Sequence, residues 1–172
     1  SNGAKINAQN RDGNTALHIS ALHGSYNHVD LLLSQGVDVE IKNNSGETAI
    51  HCSTKAKETD VLELLIASEA ETDVYDNQNR SPLVTALVAG NLDAAYILLE
   101  QPLDIQAPDV AGQTALHKAV QLATPTTSLI QSLIRKGLSP LAKDKNGATP
   151  MDLAKGDTKA FLLSLQTDQV HI

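Results

Sequence analysis

Three of the six histidines, His18, His51 and His117, each follow a threonine by three residues and could be read as metal ligands. Zinc holds an imidazole nitrogen at about 2.0–2.1 Å, whereas packed helices lie about 8–10 Å apart. These histidines are separated by 33 residues or more, each on its own short helix, so they cannot share an ion. A histidine at this position can reach back to the helix start, as glutamate does in a capping box. We therefore predict three structural caps and no metal site.

Cys52 directly follows His51, which resembles a nucleophile beside its base. Neighbouring residues on a helix point about 100° apart, so the two side chains do not meet. Asp76, Asp109 and Asp144 recur one per turn and lack the spacing of a calcium-binding EF-hand loop. The glycines fall singly, without a phosphate-binding loop. The sequence predicts neither an enzyme nor a cofactor.

A repeated phrase indicates the elements that position these residues. Thr15-Ala16-Leu17-His18 recurs three times at intervals of 33 residues, and a fifth copy, Thr149-Pro150-Met151-Asp152, follows after 35. The two extra residues lie around Thr124–Thr126. Threonine, or serine followed by proline, is favoured at a helix start. Each unit is predicted to be a helical hairpin, the first with helices from Thr15 to about Gly24 and from Tyr26 to Leu33, and to bury its apolar stripe on the next copy.

The phrase, the Leu31-Leu32-Leu33 run and the glycines at Gly13 and Gly36, each recurring along the chain, resemble the ankyrin repeat. The resemblance implies an all-α solenoid of stacked helix-turn-helix units with β-hairpin-like finger loops. It covers one domain, residues 1–172, with repeats at about 11–43, 44–76, 77–109, 110–144 and 145–166. Residues 1–10 match the tail of a truncated preceding repeat, which suggests a segment of a larger protein with other domains.

Repeats two and three depart from this pattern at several positions. Lys57 and Glu69 replace glycines that close a helix, Asn79 replaces the turn glycine, Val84 replaces the histidine and Pro102 replaces the second closing glycine. Asparagine tolerates a positive φ better than lysine or glutamate does. We predict faster amide exchange in repeats two and three than in repeats one and four.

Composition excludes several classes of function. A formal net charge of −7 and the lack of a basic, aromatic-rich stretch argue against nucleic-acid binding. Apolar runs are far shorter than the ~20 residues that span a bilayer, so membrane insertion is not expected. The single cysteine permits no internal disulfide and is compatible with an intracellular location, cytoplasmic or nuclear.

Ankyrin-repeat proteins are known to bind protein partners across a concave face made by the finger tips and first helices. Carried onto this sequence, that face would comprise Arg11, Asp12, Asn14, Leu22, His23, Asn44, Ser45, Glu47, Lys55, Asn77, Gln78, Arg80, Val88, Val110, Gln113, Gln121, Leu122 and Lys145. Its four basic and two acidic residues favour a neutral-to-acidic polypeptide.

Two functions remain open from the sequence. The first is a recognition module within a scaffold, adaptor or regulatory protein, which recruits or masks one partner. The second is a structural spacer or intramolecular regulatory stack, whose end faces, including Phe161 and Leu163, pack on neighbouring domains.

Overall fold

The computed structural model describes residues 5–123 and 126–167. The chain divides into two compact units, Ser1–Leu103 and Asp104–Ile172. Within the described residues every regular element is a helix and none is a strand, which confirms the predicted all-α class. The insertion at Thr124 and Pro125 lies outside the described residues.

The first unit contains three helical hairpins. Their helices are α1 (Ala16–Leu22), α2 (Tyr26–Ser34), α3 (Ala49–Ser53), α4 (Asp60–Ala67), α5 (Pro82–Ala89) and α6 (Leu92–Leu99). Helix α1 packs on α2 and α3, α2 on α4, and α3 on α5, so each hairpin covers the next. The apolar stripe predicted for the first hairpin comprises Leu17, Ala21, Val29, Leu32 and Leu33. The first three are fully buried, whereas Leu32 and Leu33 are half-buried.

The second unit contains α7 (Ala115–Ala119), α8 (Thr127–Arg135), α9 (Pro150–Leu153) and α10 (Gly156–Thr167). Helix α7 packs on both α8 and α9. The core of this unit is formed by Leu116, Leu129, Ile130, Leu133 and Leu162. The apolar residues Phe161, Leu162, Leu163 and Leu165 predict a short last helix over residues 158–165, and α10 extends two residues beyond each end of that range.

The departures from the repeat pattern have different structural outcomes. Glu69 and Asn79 adopt the positive φ of the glycines they replace, at 63° and 55°. Lys57 and Pro102 do not adopt a positive φ. Helix α5 ends at a left-handed Gly90, whereas α3 stops at Ser53 and is followed by an irregular loop. The Asn91 amide donates to the Thr54 and Ala56 carbonyls and so satisfies acceptors that α3 leaves open.

Candidate functional site

The three repeated histidines cap their own helices. The Thr15 N–H donates to His18 Nδ1 at 3.2 Å, and the same bond joins Thr48 to His51 at 3.2 Å. Thr114 and His117 make it at 3.1 Å. The capping role predicted from the sequence is confirmed.

Each histidine also contacts the next repeated turn through its second ring nitrogen. Because Nδ1 accepts from the threonine, Nε2 carries the proton and donates to a carbonyl: His18 to Glu47 at 2.9 Å and His51 to Arg80 at 3.0 Å. His117 donates to Ala148 at 3.3 Å in the second unit. The sequence analysis missed these links. The signal was available, since an imidazole in a capping box leaves one ring nitrogen to be satisfied.

The buried environment of α3 also sets the acidity of two side chains. Burial lowers the pKa of His51 below its ordinary value, against the opposing effects of the Arg80 carbonyl and nearby carboxylates. Burial raises the pKa of the Cys52 thiol to about 12. A thiol of this acidity is protonated at neutral pH and is a poor nucleophile.

Five turns with one hydrogen-bond pattern precede the first helices of the repeats, and we call them fingers 1–5. They span residues 10–14, 43–47, 76–80, 109–113 and 144–148. In each, the first residue's side-chain Oδ1 accepts the N–H groups two and four residues later, at 2.8–3.0 Å. The predicted turn-forming role of Asp76, Asp109 and Asp144 is confirmed.

Fingers stack on one another through backbone bonds within each unit. The Asn44 N–H donates to the Asp12 carbonyl and the Asn77 N–H to the Ser45 carbonyl, both at 3.0 Å. Finger 5 repeats the contact in the second unit, where the Lys145 N–H donates to the Ala111 carbonyl at 3.0 Å. Within each unit, the spacing of the exposed tips is therefore fixed by the backbone.

The side chain of the last residue in each of fingers 1–4 forms a hydrogen bond or an ion pair within the chain. Asn14 accepts from the Asn43 amide at 2.9 Å, and Glu47 forms an ion pair with Lys55. Arg80 Nη2 lies 2.7 Å from Asp76 Oδ2. The equivalent residue of finger 4 belongs to a larger network.

Gln113 joins fingers 4 and 5 of the second unit. Its amide donates to Asp144 Oδ2 at 2.9 Å, and it accepts from Lys118 at 2.6 Å. Lys118 also lies 2.8 Å from Asp109 Oδ2. Asn14, Glu47, Arg80 and Gln113, all on the proposed partner face, thus already have polar partners within the chain.

These contacts also shift the acidity of the finger carboxylates. Burial alone would raise the pKa of Asp76, but Arg80 and backbone N–H groups lower it below its ordinary value. At Asp109, burial would likewise raise the pKa, but Lys118 and backbone N–H groups lower it below its ordinary value. The carboxylates of fingers 3 and 4 are therefore ionised structural groups at neutral pH.

The remaining residues of the proposed face lie at the surface. On the finger tips Arg11, Asp12, Asn44, Ser45, Asn77, Gln78, Val110 and Lys145 are exposed. At the ends of the first helices Leu22, His23, Lys55, Val88 and Gln121 are exposed and Leu122 is half-buried. Leu22 and Val88, at 43% and 55% exposed, are the large apolar residues among them in the first unit.

The second unit has an open cleft of about 590 Å³ beside two of the proposed face residues. Its lining includes Gln121 and Leu122 together with Lys155 and Asp157. Its lining combines apolar and charged groups, so it can receive a side chain of a polypeptide ligand.

Residues 5–123 and 126–167 contain neither a metal-binding cluster nor a helix that could cross a membrane. No group of three or more His, Cys, Asp or Glu side chains there is arranged to hold a metal ion. Over the same residues no helix combines the length and apolar character needed to cross a bilayer.

Comparisons with known proteins agree with this architecture. A family model described as ankyrin repeats (3 copies) matches residues 29–109, and a second, described as ankyrin repeats (many copies), matches residues 1–52. The chain is also 38% identical over 72 residues to the ankyrin repeat and LEM domain-containing protein 1 homolog of Caenorhabditis elegans. That match covers 42% of this chain and 10% of the relative, so the chain spans only a small part of the relative's length. The repeated caps, fingers and hairpins, together with these matches, show that the chain belongs to the ankyrin-repeat family.

Proposed function

We propose that this chain binds a partner polypeptide through its finger tips and first-helix ends, as a non-catalytic part of a scaffold, adaptor or regulatory protein. Ankyrin repeats are generally protein–protein interaction modules. We also propose that the chain acts inside the cell and that its parent protein has further domains.

The observation that supports the proposal is a difference between the positions within each finger. The side chain at the first position, and in fingers 1–4 that at the last position, bonds inside the chain, whereas the tip residues between them are exposed, although the Asn44 and Asn77 amides also donate to the preceding finger. Within each unit the tips therefore stand at a fixed spacing, while their residue types vary from one finger to the next. A rigid array of variable side chains suits recognition, because little conformational entropy is lost on binding.

Two apolar residues provide anchor points in the first unit. Leu22 and Val88 follow the buried parts of α1 and α5 and make no part of the core. Exposed aliphatic groups among polar tips are typical of protein-binding surfaces. In the second unit, Leu122 beside the cleft has the same role.

Ion pairs within the chain reduce the positive charge that the proposed face can present to an acidic partner. Lys55 is neutralised by Glu47 and Arg80 by Asp76, which leaves Arg11 and Lys145 as the basic groups that we assign to partner contact. We therefore retain a neutral-to-acidic polypeptide as the proposed ligand, with apolar contacts supplying most of its affinity.

Affinity capture from lysate followed by mass spectrometry tests the proposal. One variant carries Leu22→Glu and Val88→Glu, and a second carries Leu122→Glu. Arg80 is left intact because its substitution would break finger 3 rather than report on binding. A matched control carries Ala67→Glu, an exposed position on α4.

A protein retained by the native chain and by the control, but lost from a face variant, would support the proposal once purified components reproduce the difference. Equal retention by all four chains would contradict it and favour the spacer function. Far-ultraviolet circular dichroism checks that each variant remains helical.

A further inference from the structure

The cleft of the second unit has an apolar part formed by three aliphatic residues. The cleft measures about 590 Å³ and is lined by the residues that follow α7, the end of α9 and the start of α10. Val120 is 4% exposed, and Leu122 and Leu153 are half-buried. A side chain that enters the cleft can therefore bury its own aliphatic groups on these three residues.

The charged groups of the cleft are mostly acidic. Asp152, Asp157 and Lys155 line it, and all three are exposed. Asp152 Oδ2 accepts the Thr149 N–H at 2.9 Å and the Thr149 hydroxyl at 2.7 Å, so this carboxylate has a fixed position. These bonds also hold the pKa of Asp152 below its ordinary value. Lys155 forms no ion pair among the described residues, so it does not block either carboxylate.

The first unit has a groove of about 510 Å³ at the equivalent place, but with the opposite balance of charge. This groove follows α3, which like α7 has only five residues. Lys55 and Lys57 line it where the cleft has Gln121 and Ala123, 66 positions later, and Asp93 is its acidic residue. The acidic balance of the cleft is therefore not a property of the repeat framework, and it can serve a specific ligand.

We propose that the cleft of the second unit holds a basic side chain, and preferentially an arginine, of the partner polypeptide. The aliphatic stem packs on Val120, Leu122 and Leu153, and the charged end lies with Asp152 and Asp157. Arginine is preferred over lysine, because its guanidinium group is weakly hydrated and has five donors for carboxylate oxygens.

This proposal rests on the proposed function and specifies the ligand chemistry at one part of the partner face. The neutral-to-acidic character proposed for the partner applies to the segment that contacts Arg11 and Lys145 on the finger tips. The basic side chain is a different residue of the same ligand, and its place on the protein is at the helix ends.

Nuclear magnetic resonance titration of the ¹⁵N-labelled chain tests the proposal with three synthetic pentapeptides. The peptides differ only at the central residue, which is arginine, glutamine or glutamate. The arginine peptide should shift the backbone amide signals of Gln121, Leu122 and Thr158 in a saturable way. We expect it to bind at least about fivefold more tightly than the glutamate peptide, with the glutamine peptide between them.

A charge reversal at the cleft should reverse this order. Asp157→Lys leaves one carboxylate and two ammonium groups in the cleft, so the glutamate peptide should then bind more tightly than the arginine peptide. Asp157→Asn is a milder second variant and should reduce the preference without reversing it. Asp93→Lys is the matched control, because Asp93 is also exposed and also lies in the first turn of its helix, in the groove of the first unit. It should leave the preference at the cleft unchanged.

Three results would overturn the proposal. They are equal affinities for the arginine and glutamate peptides, no saturable shift at the cleft amides, and an order of affinities that Asp157→Lys does not change. Because the whole chain has a formal net charge of −7, shifts spread over the surface would indicate general attraction of a cationic peptide and would also overturn it.

The lysate capture separates this proposal from the proposed function. A partner lost from Leu122→Glu but retained by Asp157→Lys would leave the partner face standing and would overturn the basic ligand. A partner lost from both variants and retained by Asp93→Lys would support both proposals. If no partner is captured, the proposed function fails while the peptide titration still decides the preference of the cleft.

Discussion

Fingers 2 and 3 have the same backbone pattern but rely on different side-chain chemistry. Finger 2 begins with Asn43, whose amide donates to Asn14 of the preceding finger. Finger 3 begins with Asp76, whose second oxygen binds the guanidinium group of Arg80 within the same finger. The first side chain of finger 2 is therefore neutral and bonds to the preceding finger, whereas the first side chain of finger 3 is charged and bonds within its own finger.

The helices that follow the two fingers also differ in how they are capped and in whether a side chain links them to the next finger. In α3, His51 caps the helix and donates to the Arg80 carbonyl of the next finger. In α5, Ser81 caps the helix through its hydroxyl, and Val84 occupies the histidine position without any polar group. The comparison shows that the turn and its backbone stacking are the same in both repeats, whereas the side-chain links between repeats depend on individual residues.

The largest expected effect is the difference in stability cost between substitutions at the turn residue of finger 2 and at that of finger 3. Gly46 has a φ of 77°, and a Cβ there would lie 2.7 Å from the backbone nitrogen of Asn77 and closer still to its side chain. Gly46→Ala should therefore cost about 3–4 kcal/mol in the free energy of unfolding, from steric overlap plus left-handed strain. Asn79→Ala, at the same place in finger 3, should cost about 1 kcal/mol, since a Cβ is already accommodated. Urea denaturation followed by circular dichroism measures both.

Gly147→Ala is the control for strain alone. Its φ is 80°, and no atom lies within 4 Å of the added Cβ. We expect about 1–2 kcal/mol from the backbone conformation. Equal losses at Gly46 and Gly147 would show that the stacking of fingers does not restrict the turn.

The next effect comes from giving α3 the residue that α5 uses. His51→Val leaves the Thr48 N–H and the Arg80 carbonyl without their buried partner, which should cost about 2 kcal/mol. The same denaturation experiment measures the loss, with Val84→Ala as a comparison for simple removal of apolar volume. A neutral result for His51→Val would mean that the histidine links contribute nothing net.

His51 in α3 and Asp76 in finger 3 should affect the stability of the chain over different ranges of pH. Burial lowers the pKa of His51, so the unfolded chain binds a proton before the folded chain does. Its stabilising contribution is complete above pH about 6.5 and is lost as the pH falls through the lowered folded value. The pKa of Asp76 is also lowered, so its contribution is complete above pH about 3.9 and is lost only at lower pH.

Thermal unfolding measured between pH 3 and pH 8 separates these contributions. His51→Val should flatten the profile in the window below pH about 6.5, whereas Asp76→Asn should flatten only the acid end. A profile whose near-neutral part is unchanged by His51→Val would contradict the assignment of that window to His51.

A smaller effect is expected when finger 3 receives the first residue of finger 2. Asp76→Asn keeps an oxygen for the N–H groups of Gln78 and Arg80 but loses the ion pair with Arg80, at a cost of about 1 kcal/mol. The reciprocal Asn43→Asp should cost a similar amount, because two oxygens would then face each other at Asn14. Denaturation at 0.1 M and 1 M salt distinguishes them, since the Asp76 effect alone should shrink in high salt.

The sequence predicted the fold more completely than the site, for a physical reason. Caps, turn glycines and the apolar period are local signals, so the hairpins and the histidine caps could be inferred from short stretches of chain. The roles of Glu47, Arg80 and Gln113 depend on which side chain reaches them from another position, and spacing does not show this. Exposure at Leu22 and Val88 could be predicted, because the resemblance to ankyrin repeats places both at the exposed ends of first helices.

The smallest expected effect concerns the two residues that take a left-handed conformation without being glycine. Asn79 in finger 3 has a φ of 55°, which asparagine tolerates, whereas Glu69 after α4 has a φ of 63°, which glutamate adopts less readily. Glu69→Asn should therefore stabilise the chain by about 0.5–1 kcal/mol. Ser68→Asn, one residue earlier at a φ of −91°, is the control and should give no gain. Because the Glu69 N–H still donates to Ile66 in either variant, a gain at both positions would indicate a general effect of asparagine rather than relief of backbone strain.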